Sequence, residues 1–276
     1  MFLNILMDRR TIYALMIVVM VAPFFIELEL PIHKASQTVM LYEEIEKAIA
    51  EGKPILISMD FDPATRGECQ PMAMAIMRHC FARKGKVIVS TFMITSEGLC
   101  REIMSRTSKD YNAQYGKDYV FLGYKPNYDQ MILAMGRNFA SVYRTDADGN
   151  NIKSMEVTKD IDNFDDIGVV VAISGTSLPA EWIIYANGEY KAKIAVGTTA
   201  VSATQYSPYL QSGQICGLLP GISGALTYEK MLKDDGLYPE LDVAGSLSNT
   251  QSGSHIVIIL FIIIGNIFYF VKRSRA

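Results

Sequence analysis

Between residues 53 and 200 the chain alternates continuous apolar runs with segments long enough for a helix. The runs are "PILISM", "KVIVSTFM", "DYVFLGY", "GVVVAISG" and "KAKIAVGTT". Strands that lack polar alternation are buried on both faces, and a parallel sheet covered by helices on each side provides that burial. The pattern predicts an α/β, doubly wound, mostly parallel five-stranded Rossmann-like sheet. A helix over "TVMLYEEIEKAIAEG" precedes it, with Val39, Leu41, Ile45 and Ile49 at helical spacing and a stop at Gly52. Helices are also expected over "ECQPMAMAIMRHCFARKG", "SEGLCREIMSRTSKDYNAQYG", "YDQMILAMGRNFASVY" and "LPAEWIIYANGEY". The whole span 34–236 reads as one domain.

The end of that domain, "PYLQSGQICGLLPGISGALTYEKMLKDDG", reads as helical material up to Gly236. Gly213, Gly217, Gly221 and Gly224 recur at helical intervals and would let another helix approach closely. The competing reading is a glycine-broken loop between two short helices, with Pro220 at the break.

The two ends carry the apolar excess. "TIYALMIVVMVAPFFI", residues 11 to 26, is uncharged and follows Arg9 and Arg10. "IVIILFIIIGNIFYFV", residues 256 to 271, is uncharged and is followed by Lys272, Arg273 and Arg275. With Ser254 and His255 the second run reaches about 18 residues, the lower limit for a spanning helix. The expectations are an N-terminal transmembrane anchor over 11–30, a Gly, Ser and Asn-rich linker over 237–254, and a C-terminal transmembrane helix over 255–271. The first run reads as an uncleaved anchor rather than a signal peptide, because no small-x-small cleavage site follows it. For the second, the alternative is a buried core helix. Asn266 inside the run calls for a polar partner. Both basic clusters lie on the outer-terminal side, so the positive-inside rule places both termini in the cytoplasm and the central domain outside it.

Half of the 276 residues are apolar, a fifth are charged, and the net charge is only -3. Without a basic stripe interleaved with aromatics, nucleic acid is not among the expected partners. Cys69, Cys80, Cys100 and Cys216 leave room for one or two disulfides outside the cytosol, against four buried free thiols as the other reading. No CxxC or Cys/His spacing suggests zinc, and His33, His79 and His255 are scattered.

Ligands of open α/β sheets bind at the carboxyl ends of the strands. The loops there are "DFDPATRGE", "TFMITSEG", "GYKPNYD", "SGTSLP" and "GTTAVSA". They nominate Asp60, Asp62, Thr65 and Arg66 from the first, Ser174 and Thr176 beside Gly175 from the fourth, and Thr198 and Thr199 with Ser202 from the fifth. The competing reading is that these Ser, Thr and Asp side chains only cap the helices that follow. An aspartate ending a buried strand is costly unless paired or solvated. No GxGxxG or Walker loop, GxSxG elbow or triad histidine accompanies them, and cofactor and metal stay open.

"ILISMDFDPAT" resembles the strand-plus-DxD motif of haloacid-dehalogenase-like phosphatases. The resemblance implies Asp60 as nucleophile, Asp62 as acid/base, magnesium between them, Thr91 as the second-strand hydroxyl and Lys125 as the cation. The chain departs from that pattern at Ala64, where the family has a hydroxyl residue. It also has no acidic pair at the end of "VVVAISGT"; Asp165 and Asp166 precede that strand. More widely, "ISMDFDPATRGE", "DYVFLGYKP", "GTTAVSA", "YLQSGQICGLLPG" and "GNIFYF" together resemble a family of uncharacterised bacterial and archaeal membrane-anchored proteins. That resemblance implies a Rossmann-like domain between two transmembrane helices and supplies no activity. Two functions are therefore expected in competition. One is a membrane-tethered, non-catalytic module that binds a ligand or partners, either other membrane subunits or a second copy of the chain. The other is a metal-dependent phosphohydrolase using Asp60 and Asp62.

Overall fold

The computed structural model describes residues 9–22, 34–238 and 243–274, the last stretch with side chains at 250, 253–267 and 269. It divides into two compact units: one holds the terminal helices, and the other is the α/β domain running from His33 to Leu241.

In the α/β unit the chain runs α2 (Ser36–Ala50), β1 (Ile55–Asp60), α3 (Arg66–Ala82), β2 (Val87–Thr91), α4 (Glu97–Tyr111), β3 (Tyr119–Tyr124), α5 (Tyr128–Arg137) and α6 (Phe139–Val142). It continues through β4 (Val169–Ser174), α7 (Leu178–Glu181), a π-helix (Trp182–Asn187), α8 (Gly188–Tyr190), β5 (Ile194–Thr198), α9 (Ala200–Gln211), β6 (Gly217–Pro220) and α10 (Gly221–Asp234). All strand pairs are parallel, in the order β3-β2-β1-β4-β5-β6. The order reverses between β1 and β4, the switch point of a Rossmann-like sheet.

The sheet therefore has six strands, not the expected five. The sixth, "GLLP", lies inside the stretch read as helical. Gly213, Gly217, Gly221 and Gly224 consequently do not share a helix face: Gly217 is in β6, and Gly221 opens α10. A Cβ on Gly217 would sit 2.5 Å from Leu41 Cβ, so the glycine lets α2 lie directly on the edge strand. Where one helix was expected over 178–190, the chain is helical but widens to a π-turn at Trp182–Asn187.

In the other unit, α1 (Arg9–Val21) packs against α11 (Val243–Ser274). Thr250 Oγ1 donates to the Met20 carbonyl at 3.2 Å, and a Cβ on Gly253 would meet Val19 Cγ1 at 3.0 Å. Numbers fall along one helix as they rise along the other, so the pair is antiparallel. The stretch 237–254, expected as a linker, is helical from Val243 on, and residues 23–30 of the expected first anchor lie outside the described residues. Asn266 donates to the Ile262 carbonyl of its own helix at 2.9 Å. Among the described residues, no helix is long and apolar enough to cross a membrane. The transmembrane helices expected over 11–30 and 255–271 are therefore not found among the described residues.

Candidate functional site

In a parallel sheet, residues in register point to the same face. On one face of this sheet Leu56 lies beside Ile88 and Val170; one step up, Ser58 lies beside Ser90 and Ala172. At the carboxyl edge Asp60 lies beside Ser174, and Ser174 beside Thr198. β1, β2, β4 and β5 thus turn from aliphatic to polar toward their carboxyl ends. Ser58, Asp60, Ser90, Ser174 and Thr198 are all fully buried. The core over this face includes Phe92, Tyr143 and Trp182.

Asp60 is the hub of the row. Its Oδ1 accepts from the Phe92 N–H at 2.6 Å and the Thr91 hydroxyl at 3.2 Å, and its Oδ2 accepts from Ser58 Oγ at 2.5 Å. Ser174 Oγ donates to the Asp60 backbone carbonyl at 2.5 Å. Residues of β1, β2 and β4, with the Phe92 N–H just past β2, are therefore tied together through one residue. Burial pushes the Asp60 carboxyl up to about 6, although its three hydrogen-bond donors pull the other way.

Asp62 has a different task. Its Oδ1 accepts from the Ala64 N–H, the Thr65 N–H and the Thr65 hydroxyl, each at 3.1 Å, which closes the turn that starts α3. The bonds from Thr65 are the main reason its carboxyl titrates below the usual range. Arg66 turns along its own helix to Gln70 Oε1 and across to Glu102 on α4. Thr176 bonds Ser174 Oγ at 2.9 Å and accepts from the Leu178 N–H at 3.3 Å, as a helix start requires. Thr199 donates to Ser202 Oγ at 3.2 Å, at the head of α9.

Of the residues nominated by the sequence, the structure gathers Asp60, Ser174 and Thr198 into one row. Thr65 joins them by contact: a Cβ on Gly175 would fall 2.4 Å from Thr65 Cγ2, so the loops after β1 and β4 touch at the switch point. Asp62, Arg66, Thr176 and Thr199 are engaged locally in turns, caps or a surface ion pair. Thr91 reaches Asp60, but the Lys125 ammonium lies over the Tyr143 ring, 5.5 Å from its centroid, and makes no ion pair with Asp60. Among the described residues no group of three His, Cys, Asp or Glu side chains is placed to hold a metal.

Four buried polar atoms in this region or close to it lack hydrogen-bond partners among the described residues: Ser90 Oγ, Tyr143 Oη, Trp182 Nε1 and Thr198 Oγ1. Ser90 is near enough to Tyr143 to act on its ionisation, yet their geometry falls short of a hydrogen bond; burial is what drives the Tyr143 phenol upward. Ser58 and Ser90 were not among the nominated residues, although a serine inside an otherwise aliphatic run is their signal in the sequence. Neither was Glu68. That residue occupies the position where a glutamate reaches back to its own helix cap, but here its Oε2 accepts from the Ala200 N–H of α9 at 2.8 Å. Gly221, at φ +54°, leaves room for it: a Cβ there would stand 2.6 Å from Glu68 Oε2. All four cysteines are free thiols, three buried and Cys216 partly so.

No protein-family model matches the chain, and no curated protein or solved structure matches it either. Chemically, the row can accept and donate hydrogen bonds in a dry environment. An in-line nucleophile needs an open oxygen, whereas the Asp60 side chain is 0% exposed and both its oxygens already accept donors.

Proposed function

We propose that this protein is a membrane-tethered module: its α/β unit, held outside the cytoplasm by the two terminal helices, binds a ligand or partner proteins as a non-catalytic subunit of a membrane complex. The observation that carries this reading is the exposure of the terminal helices. Ile256, Ile259, Ile262 and Ile267 on α11, and Tyr13, Ile17 and Val18 on α1, are each more than half exposed. So many exposed large apolar side chains are poorly solvated by water, and acyl chains would cover them. The sequence adds an uncharged run that continues to Val271 before Lys272 and Arg273. The antiparallel pairing of α1 with α11 agrees with a hairpin whose basic flanks, Arg9 and Arg10 on one helix and Lys272 and Arg273 on the other, face the same side.

The non-catalytic half of the reading rests on the two aspartates. Asp60 accepts strand-end donors in the core and Asp62 closes a turn, so neither carboxylate is directed at a shared ion. The test uses the full chain with a tag at each end, expressed in intact cells that are then converted to spheroplasts. Added protease is expected to degrade the α/β unit and to spare both tags, with the chain staying in the alkali-washed membrane fraction. Recovery in the soluble fraction, or a central domain protected from protease, would overturn the proposal.

A further inference from the structure

We propose that His79 is a protonation-sensitive joint that fastens the first helix of the α/β unit, α2, to its last, α10, and that mild acid releases α10. The inference does not depend on where the protein resides. His79 lies on α3 with its ring fully buried between those two helices. Its Nε2 is 2.9 Å from Glu46 Oε1 on α2, and its Nδ1 is 2.6 Å from the Tyr228 hydroxyl on α10. Tyr42 of α2 stacks on the imidazole at 4.1 Å between centroids and donates its hydroxyl to Asp235 Oδ2, just past α10, at 2.6 Å. Arg83 completes the cluster, donating to Glu46 at 2.8 Å and standing 3.7 Å from Asp235.

The donors and acceptors fix the proton inventory. A carboxylate only accepts, so Nε2 carries the hydrogen that points at Glu46. In a neutral ring Nδ1 is then an acceptor, and the Tyr228 hydroxyl must donate to it. Protonation turns Nδ1 into a donor aimed at the same oxygen. The Tyr228 proton then has to rotate away, yet among the described residues that hydroxyl has no hydrogen-bond partner except His79. Tyr228 is fully buried, so water does not take over. A buried donor left unpaired weakens the contact between α3 and α10.

The charges around the ring oppose one another. Burial works hardest against the imidazolium and Arg83 adds to it, whereas Glu46 and Asp235 favour it. Burial prevails, and His79 titrates below its ordinary value of 6.5. In an opened state the ring would recover that value. Between 6.5 and the lower folded pKa the open state binds the extra proton, so opening gains population as pH falls, by up to about tenfold per pH unit.

Hydrogen exchange on the full chain in mild-detergent micelles tests this, with rates corrected for the intrinsic pH dependence of exchange. Amides of 221–234 should lose protection by several-fold to about tenfold per unit below pH 6.5. Those of α4, which does not touch the cluster, should not follow. Protection of α10 that stays flat down to pH 5 would overturn the proposal. In His79→Gln the acid response should vanish, and its persistence would count against His79. Nitrogen chemical shifts of the His79 ring in the unmodified chain provide a check that needs no variant. A neutral Nε2–H tautomer at pH 7 is required, and an Nδ1–H tautomer or an imidazolium there would sink the idea.

Discussion

Asp60 places an ionisable group at the end of a buried strand and surrounds it with donors instead of a counter-charge. Its folded pKa of about 6 lies above the ordinary 3.8, so the folded state holds this proton over a range in which the unfolded state has released it. The stability associated with Asp60 is therefore present at low pH and lost as pH rises from about 4 to about 6, a loss on the order of 3 kcal/mol. Asp60→Asn keeps an acceptor for Phe92 N–H and Thr91 and removes the charge. Above pH 7 it should be neutral to stabilising, and the gap between variant and wild type in chemical denaturation should widen from pH 4 to pH 6. A variant destabilised equally at both pH values would mean that the hydrogen-bonding shape of the carboxyl, not its charge, holds the strand ends, and would count against the raised pKa. The same substitution addresses catalysis: the full chain with magnesium is expected not to hydrolyse a generic phosphoester. Hydrolysis that disappears in Asp60→Asn, but persists in an Asp160→Asn surface control, would favour the phosphohydrolase instead.

At the scale of elements, β1 to β5 were legible because their aliphatic runs are long and bounded by Gly, Pro or Lys. The sixth strand was not. Four residues ending in Pro220 carry too little periodicity, and glycines on either side imitate a helix face. What makes "GLLP" a strand is tertiary: Gly217 brings its backbone against Leu41, and the Thr38 hydroxyl reaches the Leu218 carbonyl at 3.4 Å. Gly217→Ala should accordingly destabilise by about 1–3 kcal/mol through overpacking, read as a lower denaturation midpoint. An unchanged midpoint would mean that α2 can back away from the edge. The site was half legible for a related reason. A period of two puts Asp60, Ser174 and Thr198 in register once the strands are aligned, but nothing local tells that Asp60 turns inward to Phe92 while Asp62 closes a turn. Glu68 was invisible because its partner, the Ala200 N–H, lies on a helix 132 residues away.

For the molecule as a whole, the cysteines record how closed the α/β core is. Burial raises the thiol pKa of Cys69 and Cys216 to about 12 and pushes those of Cys80 and Cys100 up as well. Thiolate is the reactive form, so a thiol reagent at pH 8 should label the native full chain slowly at all four positions and label the denatured chain at once. Fast labelling of more than one thiol in the native chain would show that the core opens readily.

The two ends of the α/β unit meet. Lys34, ahead of α2, pairs with Asp234 at 2.8 Å, and Tyr42 reaches Asp235 at 2.6 Å. A unit whose chain returns to its own starting point does not depend on its termini for its topology. It is in effect a cassette: a short bridge between residues 34 and 236 would close it into a ring. New ends cut at the Gly149 turn, where a side chain would meet nothing within 4 Å, should leave the same six strands in the same order.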